Sequence, residues 1–186
     1  MLDMQLQALP LPGLFCVRQR RHADARGEFS RLFCQGSLAL AGQAFQVRQI
    51  NHSITHARGT VRGLHYQGAG QPEAKLITCL QGAVWDVAVD LNPASPTFLR
   101  WHAERLEAGD GRALLIPEGF AHGFQALTDD ARLLYLHSAD YAPAHEGGLS
   151  PTDPRLGIDW PLPVENLSPR DAAHPLLDEH FPGVSL

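Results

Sequence analysis

Lys75-Leu-Ile-Thr-Cys-Leu-Gln-Gly82 runs directly into Ala83-Val-Trp-Asp-Val-Ala-Val-Asp-Leu91. Both halves are rich in β-branched and apolar residues and too short between breakers for ordinary helices. In a strand, successive side chains point to opposite faces. Val84, Asp86, Ala88 and Asp90 therefore share one face, and Ala83, Trp85, Val87 and Val89 the other. Gly82 reads as a turn or bulge between two strands. Further β runs lie on both sides, at 14–18, 45–51, 101–106, 112–116, 123–127 and 132–137. Strands at this spacing, with turn formers and no long helical stretches between them, exclude a parallel α/β sheet. They predict a mainly β chain, an antiparallel sandwich or barrel with short peripheral helices.

The flanks are less regular. Asp24-Ala-Arg-Gly-Glu-Phe29 is a charged turn leading into a strand, and 38–45 reads as a short helix or loop. After Tyr141 the chain is rich in Pro, Asp and Gly, so 142–165 reads as an irregular wrap. Ser168 before Pro169 is an N-cap with Pro at N1, opening one or two helical turns over 168–180. The expectation is one domain over 1–186: N-terminal strands over 1–45, a core barrel over about 45–141 and a C-terminal wrap over about 142–186.

Composition narrows the class. The 186 residues are 44% hydrophobic and 19% charged, which excludes overall disorder. No apolar run approaches the roughly 20 residues of a membrane helix. The start, Met1-Leu-Asp-Met-Gln-Leu6, lacks the basic and apolar regions of a signal peptide, so a cytoplasmic location is expected. A net charge of −5 argues against nucleic-acid binding. Cys16, Cys34 and Cys79 are odd in number and far apart, and read as small buried hydrophobes. The 15 basic residues are 14 Arg and a single Lys, Lys75. An ammonium is a compact charge whose pKa is movable, which makes Lys75 a candidate for chemistry.

Polar residues also interrupt the β pattern at 49–53, 62–67 and 117–124, and at Asp86 and Asp90. In a small barrel, inward polar residues at strand ends converge on one pocket. His65, Gln67, Lys75, Asp86 and His122 are then neighbours, although Asp86 and Asp90 also read as partners of buried arginines.

Pro117-Glu-Gly-Phe-Ala-His122 resembles the second motif of the cupin jelly-roll superfamily. The first cupin motif normally supplies His-x-His. Here His65-Tyr-Gln67 holds one His, and an ammonium follows at Lys75. Cations repel metal ions, so neither a metal nor another cofactor is expected.

A closer resemblance is collinear from about residue 10 to 178. Asp24–Phe29, Gln49-Ile-Asn-His-Ser53, Val61-Arg-Gly-Leu-His-Tyr-Gln67, Asp86-Val-Ala-Val-Asp90, Ser95-Pro-Thr-Phe98, Ile116–Phe124, Tyr135, Gly157-Ile-Asp-Trp-Pro161 and Leu167-Ser-Pro-Arg-Asp171 are similar to the dTDP-4-dehydrorhamnose 3,5-epimerase family. The resemblance implies a cupin-type jelly roll and epimerisation of a nucleotide-linked 4-keto-6-deoxyhexose at C3 and C5. It implies His65 as the base with Asp171 as its partner, Lys75 as enolate stabiliser and Tyr135 as the acid. Asp171 is expected to raise the His65 pKa, with burial opposing it. Arg62, His122, Gln49 and Asn51 would hold the sugar and diphosphate, and Arg26, Phe29 and Arg170 the nucleotide end. The family is typically dimeric, so a homodimer is expected.

Three positions depart from the pattern: Arg31 where the family has an acid, Asp140 where it has an aromatic, and Pro151-Thr152 in place of Trp-Asn. They bear on nucleotide preference. Competing readings are a C3-only epimerase or ketoisomerase, a metal-dependent cupin enzyme, and a non-catalytic sugar-nucleotide binder. Tyr141-Ala-Pro143 and Trp160-Pro161 read as packing, and His52, His56, His102, His137, His145, His174 and His180 receive no role.

Overall fold

A computed structural model describes residues 4–68 and 70–185, so the first half of the Met1–Leu6 stretch lies outside the described residues. In chain order the elements are β1 (Met4–Ala8), β2 (Phe15–Gln19), β3 (Arg21–Asp24), β4 (Gly27–Ser30), α1 (Gln35–Leu40), β5 (Gln49–Thr55), β6 (Val61–Gln67), β7 (Lys75–Gln81) and β8 (Ala83–Asp90). Then follow β9 (Trp101–Glu107), β10 (Arg112–Ile116), β11 (Phe120–Ala126), β12 (Ala131–His137), β13 (Glu146–Gly148) and α2 (Pro169–Ala172).

Six strands pair in the order β1-β2-β10-β7-β12-β5, and five in the order β13-β6-β11-β8-β9. Neighbouring strands within both sheets are antiparallel, giving the expected jelly-roll sandwich. The deciding stretch splits between them: β7 belongs to the larger sheet and β8 to the smaller. Gly82 makes the switch at φ +71°, where a side chain would collide with the Thr128 hydroxyl.

The layers explain why β8 is buried on both faces. Val84 and Ala88 point between the sheets, where they meet Ile77, Leu114, Phe124 and Leu133. Val87, Val89 and Leu91 point outward but are covered by Leu149, Leu156, Leu177 and Val184 of the C-terminal wrap. Each large aliphatic side chain so enclosed contributes about 1.5–3 kcal/mol of transfer free energy. Leu38 of α1 and Phe45 close the outer face of the larger sheet over Leu76 and Leu115.

Four expectations are corrected. The strand read at 45–51 starts only at Gln49, because Phe45 and Val47 turn to pack beside Phe33 and Leu38. Of the short helix or loop read at 38–45, the helix lies earlier, at Gln35–Leu40, and the loop follows it. Cys34 is only half-buried, unlike Cys16 and Cys79. Asp86 and Asp90 do not pair with arginines: Asp86 bonds His122, and Asp90 accepts from the Ser95 and Thr97 hydroxyls to fix the 92–97 turn.

Candidate active site

At one end of the space between the sheets the apolar side chains give way to polar ones around a cavity of about 300 Å³. The smaller sheet supplies Arg62 and His65 from β6 and His122 from β11. The larger sheet supplies Gln49 and Asn51 from β5, Lys75 from β7 and Tyr135 from β12. Pairing places Tyr135 opposite Asn51 within the larger sheet and His122 opposite His65 within the smaller.

Asp171 arrives from the wrap. Its Oδ1 lies 2.7 Å from His65 Nε2, and its Oδ2 accepts from the Gly63 N–H at 3.3 Å. The carboxylate is held by a short helix whose cap works as read: Ser168 Oγ accepts from the Asp171 N–H at 3.0 Å. Ser168→Ala should cost about 1 kcal/mol of stability, measured by urea unfolding. An unchanged midpoint would contradict the cap.

Nε2 is the ring nitrogen that meets Asp171, and Nδ1 is the one outside that pair. Burial pushes the His65 imidazole below its ordinary value of 6.5. Asp171 raises it, as expected, but Lys75 and Arg170 lower it further, and the net direction is down. The His65 imidazole is therefore neutral at pH 7. The acid limb of kcat/KM should lie below 6.5. A limb above that value would contradict this balance.

Lys75 Nζ reaches across to 3.5 Å from the His65 carbonyl and lies 3.3 Å from Glu73 Oε2. Glu73 Oε1 in turn bonds His137 Nδ1 at 2.6 Å, and His137 Nε2 lies 3.2 Å from Asn51 Nδ2. This chain, buried at Lys75 and largely so at Glu73 and His137 but exposed at Asn51, fixes the ammonium. Tyr135 OH meets Ser53 Oγ at 3.2 Å. Burial pushes its phenol well above the ordinary range, so the proton is present before any substrate arrives. His122 Nε2 meets Asp86 Oδ1 at 2.7 Å in a second His–Asp pair, buried behind the cavity wall at Asp86.

Three expected residues stand apart from this cavity. Arg170 pairs with Glu146 at 2.8 Å beside a neighbouring depression. Arg26 and Phe29 sit on the exposed β3–β4 hairpin, where Arg26 pairs with Asp24 at 2.6 Å. Other residues line the cavity without having been singled out as site residues: Ser53, Glu73, His137, Glu146 and Tyr141. Tyr141 is not buried packing. It is 57% exposed and donates to Glu146 at 2.8 Å. Glu73 left no periodic signal, since it lies in the loop before β7 and not in the strand. Arg31 and Asp140 lie outside the cavity lining, and Asp140 pairs with Arg48 at 2.8 Å.

Gln67, at the second position of the cupin His-x-His, is not free to ligate a metal. Its amide bonds the backbone at Gln71, Asp140 and Ala142. Among the described residues one group of metal-capable atoms does converge: His65, Asp171 and His174 present ligand atoms within 4.8 Å of one another.

A family model described as dTDP-4-dehydrorhamnose 3,5-epimerase matches residues 8–179. The dTDP-4-dehydrorhamnose 3,5-epimerase of Mycobacterium tuberculosis is 42% identical, covering 95% of this chain and 89% of its own. The dTDP-4-dehydrorhamnose 3-epimerase of Streptomyces niveus is also 42% identical, over 95% of this chain and 85% of its own. Among solved structures, the Legionella pneumophila dTDP-6-deoxy-D-glucose-3,5-epimerase in complex with dTDP-4-keto-L-rhamnose superposes with a TM-score of 0.89. It is 36% identical and covers 98% of this chain and 99% of its own. With its cupin-type jelly roll and a match along almost its whole length, this chain belongs to the dTDP-4-dehydrorhamnose 3,5-epimerase family of isomerases.

Proposed function

We propose that the chain is a cofactor-independent epimerase that converts dTDP-4-dehydro-6-deoxy-D-glucose to dTDP-4-dehydro-L-rhamnose. The observation that carries the mechanism is the placement of His65 and Tyr135 on opposite sheets, facing one cavity, with the Lys75 ammonium beside them. A sugar ring lying between the sheets meets a base on one face and an acid on the other. His65 Nδ1 takes the proton from the carbon next to the C4 ketone, and the electron pair moves onto the ketone oxygen. Lys75 stabilises that enolate oxygen. Tyr135 then returns a proton from the opposite face as the ketone reforms. The imidazolium and phenolate left behind reset through solvent, so each inverted centre gains a solvent hydrogen.

Gln49, Asn51, Arg62 and His122 bind the sugar and its diphosphate. Arg26, Phe29 and Arg170 take the nucleotide end. Arg26 and Phe29 reach it in a homodimer, with the hairpin of one protomer extending to the other's cavity. The 64% exposure of Phe29 and the 62% exposure of Ile50 on edge strand β5 support that assembly. A monomer by light scattering at micromolar concentration would overturn it. The enzyme works in the cytoplasm, consistent with a described chain in which no helix is long and apolar enough to cross a membrane.

The equal identity to a 3-epimerase favours a second reading, in which only C3 inverts. The isotope content of the product distinguishes the two, and Tyr135→Phe tests the acid. With the double epimerase it should keep substrate exchange at the base-facing carbon while product formation falls about 10²-fold or more. Mass spectrometry after turnover in heavy water counts the outcome: two deuterons for the double epimerase, one for the single, and none if the chain has no such activity.

A further inference from the structure

We propose that His65, Asp171 and His174 form a binding site for a divalent transition-metal ion of the zinc class, and that occupancy switches the enzyme off. His174 follows α2 on a segment without regular structure and presses its ring against Gly148, where any side chain would collide with it. Gly148 pairs directly with His65 across β13 and β6. The imidazole is thus seated against the strand that flanks the base. Its Nε2 is buried without a hydrogen-bond partner and lies 4.0 Å from Asp171 Oδ1. An enclosed nitrogen with no partner is uncommon in a folded chain and asks for an explanation.

The donor set is two imidazoles and one carboxylate, which suits zinc, copper or nickel and is poor for magnesium or calcium. Ligand atoms on a tetrahedral zinc ion stand about 3.4 Å apart, given bonds of roughly 2.1 Å. Here the separations are 2.7 Å for His65–Asp171 and 4.0 Å for Asp171–His174, and all lie within 4.8 Å. Small side-chain rotations meet that geometry. A third of the His65 side chain remains open, which leaves a fourth position for water.

The local cations do not forbid an ion. Lys75 is paired with Glu73 at 3.3 Å, and Arg170 with Glu146 at 2.8 Å. The site also differs from the cupin position, since it uses the Nε2 edge of His65 and does not involve Gln67. Metal on Nε2 displaces the Asp171 hydrogen bond and puts the neutral imidazole's remaining proton on Nδ1. The nitrogen that must accept the substrate proton is then blocked. This consequence rests on His65 being the base, whereas the site itself does not.

The test compares the intact protein with His174→Ala and His174→Gln. Zinc should inhibit the intact enzyme at micromolar concentration, reversibly with a chelator, while magnesium should not. Loss of one ligand should raise the inhibitory zinc concentration at least about tenfold, since even outer partners of a ligand are worth that much. Turnover without metal should be unchanged in both variants. Independently of turnover, cobalt(II) added to the intact protein should give the visible absorption of a tetrahedral centre, and the variants should lose it. Equal inhibition of all three proteins, or the same absorption or none in all three, would overturn the proposal. A cobalt signal confined to the intact protein with no epimerisation of any sugar nucleotide would leave the metal site standing and overturn the functional reading instead.

Discussion

His65→Ala should lower turnover by about 10²–10⁴-fold and abolish deuterium exchange at every epimerised carbon, leaving nucleotide-sugar binding largely intact. That loss corresponds to roughly 2.7–5.5 kcal/mol of transition-state stabilisation. The effect is this large because the geometry gives the role no substitute. His122 lines the same cavity, but its Nε2 is tied to a fully buried Asp86. His137 is held by Glu73 and Asn51. Neither nitrogen set is arranged like His65, whose Nε2 faces Asp171 while Nδ1 is left without an assigned partner. Isotope exchange followed together with binding separates a lost base from a lost fold. Retained exchange in His65→Ala would end the assignment.

Lys75→Met should cost roughly 10²–10³ in kcat with a much smaller change in KM, because the ammonium stabilises charge that appears only in the enolate. Removing it also strips a buried carboxylate of a partner, since Glu73 shares its two oxygens between Lys75 and His137. Breaking such a pair one-sidedly destabilises by about 3–5 kcal/mol. The double variant Lys75→Met with Glu73→Gln removes that penalty. It should recover stability in urea unfolding while turnover stays low. If activity returned along with stability, Lys75 would be a structural cation and not the enolate stabiliser.

How much of this was legible in the sequence follows from the range of each interaction. Strand β10 was placed at its observed ends, 112–116, because alternation and flanking turn residues are local signals. That β7 and β8 part into different sheets was not legible, since nothing in either strand states which neighbour it will pair with. The start of β5 was misplaced because Phe45 and Val47 alternate like a strand but are claimed by the outer layer. The residues around the cavity were readable through the family resemblance, and Asp171 could come from nothing else, lying 106 residues from the His65 it bonds. Glu73 was not legible either, because it sits in the loop ahead of β7, where alternation says nothing of a side chain's face. His174 was not, because its position depends on a segment without regular structure packing on Gly148.

The most direct measurement is proton NMR of dTDP-4-keto-6-deoxyglucose in heavy water with the purified protein. Two opposed proton-transfer groups around one enolate predict loss of the signals of both the C3 and the C5 protons as solvent deuterium replaces them. Persistence of both signals at full enzyme concentration would contradict the account.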